Sequence, residues 1–521
     1  MSKKSQINVD KKIYSKNPMR SFFTDMFVIS VLAALQIALM IVSIWNLYKT
    51  TVYVQLALSF ISLLVVVYII NKHDSTSFKL AWAVPILLFP AFGGIMYLYC
   101  QVRVSTFRFK KRIEKINQQI VSMTERQRVS TEQFRLAHPS GAPLSGYLEK
   151  SGFPFYANTR SVYFPSGEAM YEELLKQLRL AEEYIFLEFF IVHEGQMWDG
   201  ILEILKEKAA NGVDVRLMYD GMGSITTLPR KYHKTLQKLG INTVVFNPFV
   251  PVISTMQNNR DHRKIVAIDG RVAFTGGVNL SDEYINAVTR FGKWKDSAIM
   301  VTGDAAAAYS LMFLRSWNIF RREPDTDERY IRPSTAVEGD GYYAPYCDSP
   351  FDEELIARNV YLNLINRANK YIYIMTPYLI LDEELESALM LAADSGIDVR
   401  IITPHHADKK YVHMMTRYSY PALIKRGIKI YEYEPGFLHS KNILVDDKCA
   451  VVGSVNFDYR SLYLHFECAQ LLYDSPSITQ IKEDFTSTFD ISIPITQENC
   501  KKDKGLSRLI TQLLKVFSPL F

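Results

Sequence analysis

The sequence predicts an α/β protein in which N-terminal transmembrane helices precede two tandem α/β lobes that share one active site. Three observations predict it. A helix-then-strand pattern occurs twice, once in each half of the 521-residue chain; a set of polar residues recurs in both halves at identical spacing; and the first hundred residues contain long charge-free runs. With 48% hydrophobic and 13% aromatic residues, the chain has ample material for large packed cores.

The N-terminus comes first. A basic tail (1–22) carries Lys3, Lys4, Lys11, Lys12, Lys16 and Arg20. Membrane segments are expected over 23–100. Residues 26–48, MFVISVLAALQIALMIVSIWNLY, hold no charge, and about 20 apolar residues suffice for a helix to cross a bilayer. A second run covers 53–70 and a third 80–100, the third interrupted by Pro85, Pro90, Gly93 and Gly94. Cations follow the block as well as precede it: Arg103, Arg108, Lys110, Lys111, Arg112 and Lys115. The positive-inside rule then places both flanks in the cytoplasm, so two crossings plus a kinked third segment are expected. Residues 101–144 read as a basic juxtamembrane helix facing anionic headgroups, followed by the linker HPSGAPLSG at 138–146.

The first lobe is expected over 145–330 and the second over 331–500. In the first, AEEYIFLEFFIV (181–192) precedes AANGVDVRLMYD (209–220); in the second, ANKYIYIMTPYLI (368–380) precedes AADSGIDVRIITP (392–404). Each pair is a strand, a helix pattern and another strand. Two further apolar runs follow in each half, joined at Asp269-Gly270 and at Asp446-Asp447, pairs that suit tight hairpin turns. Residues 501–521 then predict an amphipathic helix, with Leu506, Leu509, Ile510, Leu513, Leu514 and Phe517 on one face, suited to a bilayer interface or to packing on the lobes.

The recurring motif carries the chemistry. His262 and Lys264 are followed by Asp269, Gly276 and Asn279; His439 and Lys441 are followed by Asp446, Gly453 and Asn456. On an extended strand, residues two apart emerge on one face, so each histidine appears beside a lysine. Two imidazoles suit phosphoryl chemistry: one attacks phosphorus, while the other protonates the leaving oxygen and then activates the incoming hydroxyl. Lys264, Lys441, Asn279 and Asn456 would stabilise the phosphate oxygens. Asp269 and Asp446 complete the motif and are counted with the catalytic set on their spacing, although they fall at turns, where they are expected to brace the backbone rather than touch substrate. Asp296 and Glu467 follow the asparagine of their half and are the candidate carboxylates to orient the histidines. Glu188, among aromatics, is a further candidate acid or a paired structural one.

No metal or other cofactor is expected: there is no HExxH or Asp-rich motif, and His405, His406 and Asp408 read as loop residues. The five cysteines are scattered, as in a reduced compartment. A net charge of +6 without aromatic interleaving gives no sign of nucleic-acid binding.

The two His-x-Lys-x4-Asp motifs, each continuing to Gly-(Gly/Ser)-x-Asn, resemble the phospholipase D superfamily, and within it the bacterial cardiolipin synthases. The segments LEFFIVHEG, RDHRKIVAIDG, FTGGVNLSDEYINA, YEYEPGFLHSKN and VGSVNFDYRSLYLHFE carry the likeness over nearly the whole chain. The resemblance implies two phospholipase D-like lobes around one site. It also implies transfer of a phosphatidyl group between two phosphatidylglycerol molecules, giving cardiolipin and glycerol, with His262 as nucleophile and His439 as general acid and base. The implied partners are phosphatidylglycerol and an anionic phospholipid bilayer, with the lobes on the cytoplasmic side of a multi-pass membrane protein; oligomeric state is left open. A membrane-anchored hydrolase or nuclease of the same superfamily is the alternative, since the motifs do not encode the acceptor. The chain departs from the pattern at His465, where asparagine is usual, at KDSA (295–298) in place of Asp-Thr-His, and at Leu381, where proline is common.

Overall fold

A computed structural model describes residues 49–72, 75–101, 128–249 and 255–500, except 322, 323, 326, 334, 335, 352 and 353, together with isolated positions within 30–38, 111–116 and 511–518. The basic tail, most of the first apolar run, most of 102–127 and most of the C-terminal helix lie outside the described residues. The chain forms two compact units. One contains the hydrophobic N-terminal block with 249–259 and 505–521, and the other contains both lobes.

In the hydrophobic unit the second apolar run forms a helix, Lys49–Asn71. The third is divided. One helix, Thr76–Leu88, contains Pro85 and ends at the non-helical Phe89, and a second runs from Pro90 to Gln101. The break falls where the prolines predict it. Gly93 is required for the return, because a Cβ there would stand 2.6 Å from the Ile86 Cα. Val66, Ile69, Ala83, Ile86 and Tyr97 form the core of this unit. Phe60, Leu64, Tyr68, Leu87 and Leu88 point outward, exposed. Among the described residues no helix is long and apolar enough to cross a membrane, so the predicted crossings are not seen there.

The catalytic unit is built on two sheets with one plan. The first contains β1 (Thr159–Phe164), β2 (Tyr184–Phe189), β3 (Asp214–Asp220), β4 (Asn242–Phe246), β5 (Ile265–Ile268), β6 (Val272–Gly276) and, after the short β7 (Lys293–Lys295), β8 (Ala298–Gly303). Their order across the sheet is β1-β8-β6-β5-β2-β3-β4. The second contains β9 (Tyr342–Asp348), β10 (Tyr371–Met375), β11 (Asp398–Pro404), β12 (Lys429–Tyr433) and, after the short β13 (Gly436–Leu438), β14 (Asn442–Val445), β15 (Cys449–Gly453), β16 (Glu467–Tyr473) and β17 (Ser492–Ile495). Its order is β17-β12-β11-β10-β14-β15-β16-β9. Read backwards from β9, this repeats the first sheet strand for strand and adds β17. β2, β3 and β4 pair in parallel through helical crossovers, as do β10, β11 and β12. Central strands covered on both faces are largely apolar: every residue of β2, β5 and β6 is buried, with Glu188 the one charged side chain among them.

The two predicted hairpin turns are present. Asp269 and Gly270 have φ of 54° and 59°, and Asp446 and Asp447 both have 57°, the left-handed pair that lets a tight turn match strand twist. Each leading aspartate also anchors the neighbouring central strand. Asp269 accepts from the backbone N–H groups of Glu182, Glu183 and Tyr184 at 2.8, 3.0 and 2.7 Å. Asp446 accepts from those of Asn369, Lys370 and Tyr371 at 2.6, 2.7 and 2.9 Å.

The lobes meet along a buried seam. β7 pairs in parallel with β13, and, at the equivalent position of the repeat, Asp261 bridges to Phe466. Polar links reinforce the seam: Lys295 to Asp484 at 2.8 Å, Ser297 to Asn442 at 3.0 Å and Tyr309 to Gln470 at 3.1 Å.

Candidate active site

Both histidines lie in extended segments at this seam, just before the central hairpin strands. The His262 N–H donates to the Phe466 carbonyl at 2.9 Å, and the His439 N–H donates to the Lys295 carbonyl at 2.7 Å. Each motif segment is thus tied to the opposite lobe, and the residue that directly follows the accepting carbonyl is the candidate orienting carboxylate, Glu467 after Phe466 and Asp296 after Lys295.

The pairing is crossed. His262 Nδ1, from the first lobe, lies 2.9 and 3.0 Å from the carboxylate oxygens of Glu467, from the second. His439 Nδ1, from the second, lies 2.7 Å from Asp296 Oδ2, from the first. Each carboxylate fixes the proton on Nδ1 and leaves Nε2 free to act. Both carboxylates are fully buried.

Lys264 donates to the His262 carbonyl and Lys441 to the His439 carbonyl, so each ammonium turns back beside its own histidine. Burial pushes Lys264 down to about 8 and Lys441 to about 7, the latter also through the Lys264 charge. Burial likewise lowers His262 to about 3, with Lys264 adding to the effect, and His439 to about 4, with Lys441 adding to it. Both imidazoles are therefore neutral near pH 7. Burial alone would raise Glu467, but the adjacent His262 outweighs it and keeps the group a carboxylate.

The Gly-(Gly/Ser) step backs each carboxylate. A Cβ on Gly276 would lie 2.4 Å from the Ser297 carbonyl oxygen, and one on Gly453 2.4 Å from the Ala469 Cβ, so both positions exclude side chains. At the following position the halves differ. Gly277 packs against Asp296, where a Cβ would stand 2.0 Å from Oδ1, whereas Ser454 donates from Oγ to Glu467.

Asn279 accepts from the Ile191 N–H at 3.1 Å and donates to the Tyr284 hydroxyl at 2.7 Å; the Tyr284 ring is 5.4 Å from that of His439. Asn456 is buried with Oδ1 unpaired, and its Nδ2 lies 3.4 Å from Asp458. Asp269 and Asp446, included with the catalytic set on their spacing, are placed elsewhere. The four-residue strands β5 and β14 separate them from Lys264 and Lys441, a span of roughly 13 Å, and their carboxylates are engaged by backbone N–H groups. Glu188 pairs with Arg263 at 2.7 Å, and Arg263 also bonds Asp261 at 2.9 Å, so this acid serves a buried structural network. His405 bonds Glu432 at 2.8 Å and Asp408 accepts from Tyr378 at 2.6 Å, consistent with loop roles.

Sequence reasoning missed the residues that wall the imidazoles. Phe190 lies edge-on to His262 at 5.2 Å between ring centres, with His465 at 5.6 Å; Trp294 and Phe437 flank His439 at 5.4 and 6.0 Å. His465 and Trp294 each stand two residues before an orienting carboxylate, the one local signal that marks them. Among the described residues, the single group of three metal-ligand side chains within 4.8 Å is His262, His465 and Glu467. It is built on the imidazole–carboxylate bond, and the charge of Lys264 beside it favours an anion over a cation.

The arrangement offers two neutral imidazoles with fixed tautomers, each beside a buried ammonium, which is suited to an in-line displacement at phosphorus. Comparison with known proteins agrees. The family model described as cardiolipin synthase, PLD-like domain, matches residues 174–309 and 361–489, and one described as phospholipase D-nuclease N-terminal matches 58–99. A cardiolipin synthase of Alkalihalophilus pseudofirmus is 33% identical over 96% of this chain and 98% of its own length. An uncharacterized protein of Streptococcus mutans is 43% identical over 87% of this chain and 99% of its own. The phosphatidylserine synthase of Haemophilus influenzae, 15% identical, shares the fold with a TM-score of 0.56 over 72% of this chain and 97% of its own. The crossed histidine pairs lie within the two matched segments, and the chain belongs to the cardiolipin synthase family of phospholipase D-like proteins.

Proposed function

We propose that the protein is a membrane phosphatidyltransferase that makes cardiolipin and glycerol from two molecules of phosphatidylglycerol. The observation that carries the reading is the crossed pair, His262 with Glu467 and His439 with Asp296. In the first step His262 Nε2 bonds to phosphorus, the bond from phosphorus to the headgroup oxygen breaks, and His439 delivers a proton to the departing glycerol. In the second, neutral His439 takes the proton from a hydroxyl of another phosphatidylglycerol, whose oxygen bonds to phosphorus as the bond to His262 breaks. The atoms and charges balance without an external energy source.

The general-acid step needs a protonated His439, which burial and Lys441 oppose. A phosphodiester anion offsets the two ammonium charges and, with Asp296 as counter-ion, favours the imidazolium when substrate is bound. Asn279 and Asn456 each retain a side-chain N–H for the phosphate. Transfer is favoured over hydrolysis to the extent that the buried site excludes water. The exposed apolar side chains of the N-terminal helices support attachment to a membrane, with the lobes on the cytoplasmic side. The lobes are taken to span 145–330 and 331–500.

The test is to supply the purified protein with phosphatidylglycerol vesicles and identify the products by mass. Cardiolipin with equimolar glycerol is expected, absent in His262→Ala and His439→Ala. Phosphatidic acid without cardiolipin would make the protein a hydrolase.

A further inference from the structure

His465 carries an unspent hydrogen-bonding capacity inside the site. It is nine-tenths buried, at 9% exposure, and neither ring nitrogen has a hydrogen-bond partner. Its nearest acidic oxygen, Glu467 Oε1, lies 3.7 Å from Nδ1, beyond hydrogen-bond reach. Buried polar atoms in folded proteins are almost always paired, so such a group is explained by something that occupies the site during function. An imidazole carries at least one N–H in either protonation state, and therefore His465 brings a donor to the site.

Its position follows from the repeat. His465 precedes Glu467 by two residues and emerges on the same face, next to the imidazole that Glu467 holds; its ring centre is 5.6 Å from that of His262. The equivalent residue of the other lobe, two before Asp296, is Trp294, which lies 5.4 Å from His439 and packs against Tyr284 and Phe437. The half-sites are therefore unequal: one imidazole has a polar neighbour where the other has an aromatic wall. A single π-turn, Arg460–Leu464, delivers His465, whose backbone N–H donates to the Arg460 carbonyl at 2.8 Å. Such turns recur at functional sites.

We propose that His465 is a phosphate-binding residue of the His262 half-site, donating its ring N–H to a non-bridging oxygen of the phosphate group held there. This rests on the reading that a phosphodiester occupies the site. The ligand chemistry is a tetrahedral phosphate anion, from a lipid headgroup or from free phosphate, and the test treats the two separately.

Inorganic phosphate is titrated by calorimetry into the full-length protein in detergent, for the wild type, His465→Asn and His465→Phe. Loss of one hydrogen bond to a charged acceptor should weaken phosphate binding by about 10- to 100-fold in His465→Phe, and by less in His465→Asn, which keeps a donor. With phosphatidylglycerol vesicles, KM should rise by a similar factor while kcat changes little, because the contact exists before the reaction begins. A purely structural side chain would leave the phosphate affinity of the folded variants unchanged. If His465→Phe fails to fold, ring-nitrogen NMR of the wild type decides: phosphate should shift the His465 resonance, assigned by its loss in His465→Asn. Phosphate affinity within twofold of wild type in His465→Phe, an unshifted resonance, or no phosphate binding by the wild type would overturn the proposal. Phosphate binding that depends on His465 without cardiolipin formation would instead sink the proposed function and leave this inference standing.

Discussion

Replacing Glu467 by glutamine tests the crossed pairing directly, because it removes one charge with almost no change in volume. In the native site both carboxylate oxygens lie within hydrogen-bond reach of His262 Nδ1, and Oε2 also accepts from Ser454 Oγ. An amide has one acceptor oxygen in place of two, so its NH2 group can take a position that faces Nδ1. If that group turns toward Nδ1, the imidazole must carry its proton on Nε2 and has no lone pair with which to attack phosphorus. If it turns away, the positive charge that builds on His262 still loses its counter-ion. At about 4 Å and an effective dielectric of about 20, that attraction is worth about 4 kcal/mol, or about 10³ in rate. The analogous carboxylate-to-amide change in a serine protease triad costs about 10⁴. Glu467→Gln should therefore lower kcat by about 10³ to 10⁴, with the loss in formation of the phosphatidyl-enzyme. Rapid quenching after mixing with radiolabelled phosphatidylglycerol measures that step. A loss below about tenfold, or covalent enzyme appearing at the wild-type rate, would refute the assignment of Glu467 to His262.

Three further outcomes follow from the same geometry. Because Lys441 and Lys264 lose their protons near 7 and 8, the ammonium charges that hold phosphate are present below this range and lost above it. The pH profile of kcat/KM, which reports the free enzyme, should therefore fall as pH rises through it, and Lys441→Arg should shift that limb upward; a profile flat to about pH 9.5 would contradict the lowered lysine values. Gly277→Ala, whose methyl would meet Asp296 at 2.0 Å, should cost more than about 100-fold in kcat by displacing the His439 counter-ion, whereas Ser454→Ala removes a single hydrogen bond to Glu467 and should cost about 10-fold; equal losses would show that the two carboxylates are not backed as described. Asp269→Ala leaves three backbone N–H groups without their acceptor and should lower stability by about 2 to 4 kcal/mol, seen as a lower thermal midpoint, while the folded fraction keeps its kcat; a large loss of kcat at unchanged stability would return Asp269 to the catalytic set.

Much of the site was legible before any coordinates. The offsets shared by His262 and His439 identified the repeat, and Asp296 and Glu467 stood out as acids that follow the asparagine of their half. The break in the third hydrophobic run fell at its prolines. Asp269 and Asp446 show the limit of reading by spacing. They belong to the motif because each hairpin needs a left-handed residue that also caps the next strand, and periodicity alone cannot separate that requirement from chemistry. Glu188 looked equally like a site acid until Arg263 was found beside it.

The two-lobe α/β plan, the duplicated motif and the pairing of each histidine with its own lysine are written in local patterns, because turn preference, strand alternation and residues two apart on one face are local properties of the backbone. Which carboxylate serves which histidine is set by how the two lobes close on each other. Glu467 is 205 residues from His262, and Asp296 is 143 from His439. Separation along the chain favours the same-lobe pairs, 28 residues for His439 with Glu467 and 34 for His262 with Asp296; the parallel seams of β7 with β13 and of Asp261 with Phe466 impose the crossed ones instead. The same closure leaves His465 buried without a partner, since whether a polar side chain is satisfied depends on every segment that packs around it.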